Sequence, residues 1–237
     1  MTLSSNKILN VAKLGTVDYQ VGLELQEAIV VARTRDQIGD TLLLLEHPHV
    51  YTLGRGADER FILNPPAGVD IRRVARGGQV TYHGPGQLVG YPILKLTGAA
   101  RDVHRYLRTL EDAMIAALAR YGIVAGRRER FTGVWVGPRK IGSIGVGIRR
   151  WVTLHGFALN VSPDLSFFDA IVPCGIEGCM MTSIAAEGHP KVSLTGFADT
   201  MAASFAEVFG YCEVADASAV GDLATVERAQ AAREVLR

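Results

Sequence analysis

Residues 69–96, VDIRRVARGGQVTYHGPGQLVGYPILKL, decide the fold class. Three β-rich pieces (VDIRRVA, QVTYH and QLVGYPILKL) are separated by Gly77-Gly78 and by Gly84-Pro85-Gly86, punctuation that predicts an antiparallel meander. Glycine permits sharp bends and close approach to a ligand at an entropic cost. The glycines gathered around the imidazole of His83 therefore also predict a binding wall.

Working outward, Asp18–Ile38 carries Val21, Leu25, Ala28, Ile29 and Ala32 at helical spacing behind an aspartate suited to capping. Thr41–Leu45 is a short apolar run that reads as a buried strand. Over Arg101–Tyr121 the residues Val103, Leu107, Leu110, Met114, Ala117 and Leu118 share one helical face, which stops at Gly122. Strands return over Phe131–Val161 as VWV, IGVGI and WVTLHGFALNV, and a last helix spans about Thr195–Phe209. From about residue 213, and above all from Ala217, the chain reads as a loose tail or exposed helix. Strands with segregated helices predict an α+β fold, a mostly antiparallel sheet packed with helices. No repeat or low-complexity linker divides the 237 residues, so one domain over 1–237 is expected.

Composition narrows the function classes. A chain with 48% hydrophobic residues can bury a full core, and a net charge of +1 opposes general nucleic-acid binding, which needs clustered excess lysine and arginine. No long uncharged apolar run appears and MTLSSNKILN lacks the apolar core of a signal peptide, so a cytoplasmic protein without membrane contact is expected. Three cysteines make no disulfide framework. The CGIEGC spacing supplies only half a zinc site, so no metal is expected.

Two further segments carry chemistry. RKIGSIGVGIRRWVTLHGFALN (Arg139–Asn160) places Lys140 in a second glycine-rich run, and VPCGIEGCMMTSI (Val172–Ile184) places Cys174 beside proline and glycine. Each has an ordinary reading when taken alone. Free cysteine is usually a small buried hydrophobe, and Cys179 and Cys212 keep that reading. Lys140, between Pro138 and Gly142, fits a solvated hairpin turn. His83 fits a hydrogen bond to the Gly-Pro-Gly turn and a place in the pocket wall, and His49 and His155 fit core histidines with satisfied nitrogens. Lysine and cysteine together suggest acyl transfer, because the thiolate is the nucleophile and a nearby ammonium favours it.

The motifs RGG (Arg76–Gly78), TYHGPGQ (Thr81–Gln87), KIGSIG (Lys140–Gly145), HGFALN (His155–Asn160) and PCGI (Pro173–Ile176) together resemble the octanoyltransferases of lipoate synthesis. The resemblance is strongest over residues 47–184, from HPHVYTLGR to TSI. It implies the catalytic-domain fold of biotin and lipoate protein ligases, Cys174 as the nucleophile of a thioester acyl-enzyme, and Lys140 as its catalytic partner. It further implies an acyl site formed by Arg76, Gly77, Gly78, Gln79, Val80, Thr81, Tyr82, His83, Ser143, Ile144, Gly145, Gly156, Phe157 and Ala158. The implied donor is octanoyl-acyl carrier protein. The implied acceptors are lipoyl domains of 2-oxoacid dehydrogenase complexes and the glycine cleavage H protein, with no cofactor and a monomeric enzyme.

Rival readings stay open. Lipoate and biotin ligases resemble one another in RRxSGGGxVYHD or GRGRRG segments, whereas RGGQVTYHGPGQ lacks the acidic residue after the histidine, and Gly54–Gly56 is only a partial echo. A cysteine-dependent amidotransferase moving octanoyl between proteins is a closer rival. Arginines at 72–73, 127–130 and 149–150 read equally as solvated faces or as a docking surface for acidic partners.

Overall fold

The computed structural model describes residues 7–218. In chain order it forms β1 (Ile8–Thr16), α1 (Tyr19–Thr34), β2 (Thr41–Glu46), β3 (Val50–Leu53), β4 (Asp70–Arg73), β5 (Val80–His83) and β6 (Gln87–Ile93). There follow α2 (Val103–Ala119), β7 (Gly126–Arg128), β8 (Phe131–Val136), β9 (Arg139–Arg149), β10 (Val152–Asn160), α3 (Leu194–Phe209) and β11 (Glu213–Asp216). Side-chain oxygens of Asp18, Asp102 and Ser193 cap the three helices by accepting first-turn amides, which explains where each begins.

The large sheet has the order β11-β1-β2-β6-β10-β9-β8-β7, parallel at β11–β1 and β1–β2 and antiparallel elsewhere. The TLLLLE run of β2 is buried on both faces, which is why it shows no polar alternation. Leu42 and Leu44 pack beneath α2 and α3, whereas Leu43 and Leu45 face Leu25, Ile29 and Val30 of α1. Helices therefore cover both faces, and the architecture is the expected α+β class with a mostly antiparallel sheet.

The stretch at 69–96 is not a meander. β4 and β5 flank β3 in a separate three-stranded sheet, parallel on one side and antiparallel on the other, and β6 enters the middle of the large sheet between β2 and β10. The Gly84-Pro85-Gly86 segment turns the chain from one sheet to the other rather than closing a hairpin. Glu46 Oε2 accepts the Gly86 amide at 2.6 Å, and the Gly86 carbonyl accepts amides of Val161 and Ser162, so the segment is tied to β2 and to the end of β10.

The expectation of a loose tail from residue 213 also needs correction. Glu213–Asp216 is a strand in parallel register with Ile8–Val11 of β1. Most of the tail assigned from Ala217, residues 219–237, lies outside the described residues.

Candidate active site

Cys174 sits in a short turn, Pro173–Gly175, with φ 59° and ψ 13°. That left-handed conformation costs a non-glycine residue roughly 1–2 kcal/mol, and local pairing holds it. Val172 donates its amide to Phe61 O at 2.8 Å, and the Gly175 amide closes the turn onto Val172 O at 3.0 Å. The chain then runs back beside β9: Lys140 N donates to Met180 O at 2.8 Å and Thr182 N to Lys140 O at 2.9 Å. This pairing closes the long sequence separation and brings Lys140 Nζ to 2.9 Å from Cys174 Sγ.

Lys140 is 1% exposed, in β9, so it is not the solvated hairpin lysine that its neighbours suggested; the turn lies one step earlier, at Gly137-Pro138. Its ammonium also donates to Thr132 O at 3.1 Å and lies 5.4 Å from the Trp135 ring centroid. Among the described residues no carboxylate lies within ion-pair distance of it. The half-buried sulfur and the Ser143 hydroxyl are 3.9 Å apart. A half-buried sulfur and a buried cationic side chain thus share one site.

A cavity of about 300 Å³ opens beside the sulfur, between β5 of the small sheet and β6, β9 and β10 of the large one. Its walls include Arg76, Gly78, Gln79, Val80, Thr81, His83, Ser143, Ile144, Gly145, Gly156, Phe157 and Ala158 together with Cys174. Gly77 and Tyr82 are absent from the walls. Tyr82 is buried on the other face of β5, stacked on Phe167, with its hydroxyl 2.7 Å from His49 Nδ1. Gly77 instead pins the loop to β9 through its amide and Val146 O, 2.9 Å apart.

Arg76 is a buried clamp. Its guanidinium donates to the carbonyls of Gly77, Gln79 and Thr52 and to Thr52 Oγ1, over 2.7–2.9 Å, and burial lowers its pKa. The glycines were expected to let the backbone approach a ligand closely, but several make room for protein atoms. A Cβ on Gly156 would lie 2.2 Å from Gly90 O, and one on Gly145 would lie 2.9 Å from Arg76 Cδ.

Histidines line the cavity in neutral form. Burial and the neighbouring His47 push His83 down to about 3, while its Nδ1 donates to Gln87 Oε1 at 2.7 Å. This makes it a wall residue and a poor base. His155 is 2% exposed, also pushed down by burial to about 4, and neither ring nitrogen has a hydrogen-bond partner among the described residues. It is therefore not the satisfied core histidine expected; its backbone, at φ 55°, turns the imidazole into the cavity wall. Cys179 is half-buried and Cys212 is exposed, so only the first resembles the buried hydrophobe expected of both.

The cavity also includes Tyr19, Val89, Tyr91, Phe131 and Thr132, which sequence reasoning did not single out, and Arg130, which it grouped with a solvated or docking face rather than with the cavity. Tyr19 and Tyr91 belong to a helix start and a central strand, where an aromatic reads simply as core. Residues 130–132 lie in a short arch, the β7–β8 turn together with the first residues of β8, that carries no turn motif.

The pattern defining the lipoyl protein ligase A/B catalytic domain matches residues 18–206, a wider span than the motifs at 47–184. The chain is 50% identical over 202 residues to an octanoyltransferase of Gloeobacter violaceus, covering 84% of this chain and 90% of that protein. It is 52% identical over 207 residues to an octanoyltransferase of Solibacter usitatus, covering 84% and 92%. Among solved structures, lipoate-protein ligase A bound with ATP superposes with a TM-score of 0.68 at 18% identity, over 92% of this chain and 95% of that one. Biotin protein ligase from Aquifex aeolicus superposes at 0.51 with 13% identity, over 85% and 68%, a likeness of fold alone. Identity near one half along most of the chain, on the fold of the lipoate and biotin ligases, places this chain in the lipoyl protein ligase A/B catalytic-domain family, among its octanoyltransferases, as an acyltransferase.

Proposed function

We propose that the chain moves an octanoyl group from octanoyl-acyl carrier protein to the acceptor lysine of a lipoyl domain through a thioester on Cys174. The observation that carries this reading is the contact of 2.9 Å between a buried lysine ammonium and a cysteine sulfur in the wall of a mostly apolar cavity. The Cys174 thiolate attacks the donor thioester carbonyl, and the carrier thiolate leaves with a proton from Lys140. The acceptor amine then attacks the acyl-enzyme, Lys140 takes the proton released as the amide forms, and the Cys174 thiolate is regenerated. Exchange of one thioester for another is nearly balanced and amide formation is downhill, so no ATP is required. Burying about six methylenes at about 0.8 kcal/mol each contributes on the order of 5 kcal/mol to holding the chain.

The test is intact-mass spectrometry after incubation with octanoyl-acyl carrier protein without ATP. The expected result is one octanoyl adduct, removed by hydroxylamine, absent in Cys174→Ala, and consumed when a lipoyl domain is added. No adduct, with an acyl-adenylate formed from free octanoate and ATP, would establish a ligase instead. An adduct formed from an octanoylated protein but not from the carrier would establish the amidotransferase.

A further inference from the structure

The peptide group joining Thr132 to Gly133 is held at both ends. Its carbonyl oxygen accepts from Lys140 Nζ at 3.1 Å, and its N–H donates to Glu111 Oε1 at 3.0 Å. Glu111 belongs to α2 and is fully buried, with 0% exposure. Its second oxygen, Oε2, accepts from Arg108 and Arg127, both at 2.7 Å, so the carboxylate is fixed in place.

Residue 133 fits this arrangement only as glycine. Its φ is 128°, and a Cβ there would lie 2.7 Å from Lys140 Cε and 2.6 Å from Gly142 O. The start of β8 therefore lies directly against the lysine side chain, with Glu111 behind it.

A carboxylate on the N–H of an amide and a cation on its carbonyl polarise that amide in the same sense, so each hydrogen bond strengthens the other. Direct contact would act differently, because a carboxylate touching Lys140 would compete with Cys174 for the ammonium. One interposed peptide lets the negative charge orient the lysine while leaving an N–H of the ammonium on the sulfur.

We propose that Glu111 is a positioning residue, holding the Lys140 ammonium on Cys174 Sγ through the Thr132–Gly133 peptide. The inference rests on the reading of Cys174 and Lys140 as the acyl-transfer pair. A purely structural Glu111, tying α2 to the arch, would affect stability alone.

The experiment compares wild type, Glu111→Gln, Lys140→Met and Cys174→Ala in steady-state octanoyl transfer and in alkylation of Cys174 by iodoacetamide at pH 7. Glutamine keeps the shape and an uncharged acceptor. It is expected to lower kcat about tenfold, equivalent to ~1.4 kcal/mol, to slow the alkylation of Cys174, and to leave KM for the donor unchanged. Wild-type kcat and alkylation rate in Glu111→Gln, with Lys140→Met and Cys174→Ala inactive, would overturn the inference and leave the acyl-transfer reading standing. Full turnover in Lys140→Met and Cys174→Ala would overturn that reading itself. Should Glu111→Gln fail to fold, the Gly133 amide proton reports the coupling without touching Glu111. It is expected to move upfield in Lys140→Met as the polarised hydrogen bond weakens, and an unmoved resonance there would overturn the proposal.

Discussion

An ammonium enclosed at 1% exposure, between a carbonyl and a sulfur, has little freedom to be replaced. Lys140→Arg keeps the charge but cannot lose a proton near neutral pH, so transfer to the amine is expected to fail as completely as in Lys140→Ala. The two variants should separate on iodoacetamide: Cys174 stays reactive near pH 7 in the arginine variant and slows in the alanine variant. Cys179 serves as an internal reference, because burial pushes its thiol up and slow labelling is expected at every stage. The buried histidines make a second prediction. His47, His83 and His155 are held down to about 4, about 3 and about 4, well below an ordinary imidazole, so unfolding at acidic pH takes up protons. Their neutral burial costs nothing extra above pH 6.5, and stability is lost as the pH falls from there toward 4. A shift from 6.5 to about 4 is on the order of 3 kcal/mol for one group at the acid end of that window. Urea titrations at pH 7, 5.5 and 4 should show the fall, and His155→Phe should make it shallower. A slope unchanged by that substitution would show that His155 takes up no proton on unfolding.

Elements with a periodicity of their own were legible: α2 and α3 lie within a residue or two of their expected bounds, and β2 was recognisable from its apolar run. β1 was not, because ILNVAKLGT shows neither clean alternation nor an unbroken apolar run. β3 was hidden inside the HPHVYTLGR motif, and missing it led to the meander: with no central partner in view, β4, β5 and β6 seem to pair in sequence order, although β3 takes the first two. At the site, motif context singled out Cys174 and Lys140, whose sulfur and nitrogen lie 2.9 Å apart. Glu111 was not, because a helical glutamate beside arginines reads as a surface ion pair until the fold sets the β7–β8 arch against it. The arginine groups also change meaning at this scale. Arg72 pairs with Asp70, Arg73 with Glu59, and Arg127 with Glu111 and Asp112, while Arg128 lies over the rings of Phe131 and Trp135. Arg130, exposed and in the wall of the cavity, is better placed to meet an acidic carrier than Arg149 at the end of β9 and Arg150 in the turn that follows. Arg130→Ala is expected to slow acyl-enzyme formation from octanoyl-acyl carrier protein at low salt, and to do so more than Arg149→Ala/Arg150→Ala. A small octanoyl thioester should react at the same rate in all three proteins; equal slowing with both donors would assign Arg130 to the cavity rather than to docking.

Across the whole molecule, the site draws on both sheets: β9 of the large sheet carries the lysine, β5 of the small one walls the cavity, a turn anchored at Phe61 carries the cysteine, and α2 holds the Thr132–Gly133 peptide of β8. Its integrity therefore depends on a sheet whose last strand pairs with its first. Tyr211 Oη donates to Asp40 Oδ2 at 2.8 Å, and Cys212 N bonds to Lys7 O at 2.9 Å, so pairing of the two chain regions extends beyond the strands themselves. A chain ending at Cys212 is expected to melt at lower temperature and to associate on size-exclusion chromatography, because β1 would present an unpaired edge. An unchanged melting temperature and elution volume would show that β11 adds nothing to the sheet. The parallel pairing of β11 with β1 also sets a timetable for biosynthesis. At bacterial or eukaryotic elongation rates, roughly 10–40 s separate the emergence of the first strand from that of the last. Throughout that interval the nascent polypeptide carries an open strand edge outside the ribosome, and only the emergence of Glu213–Asp216 covers it.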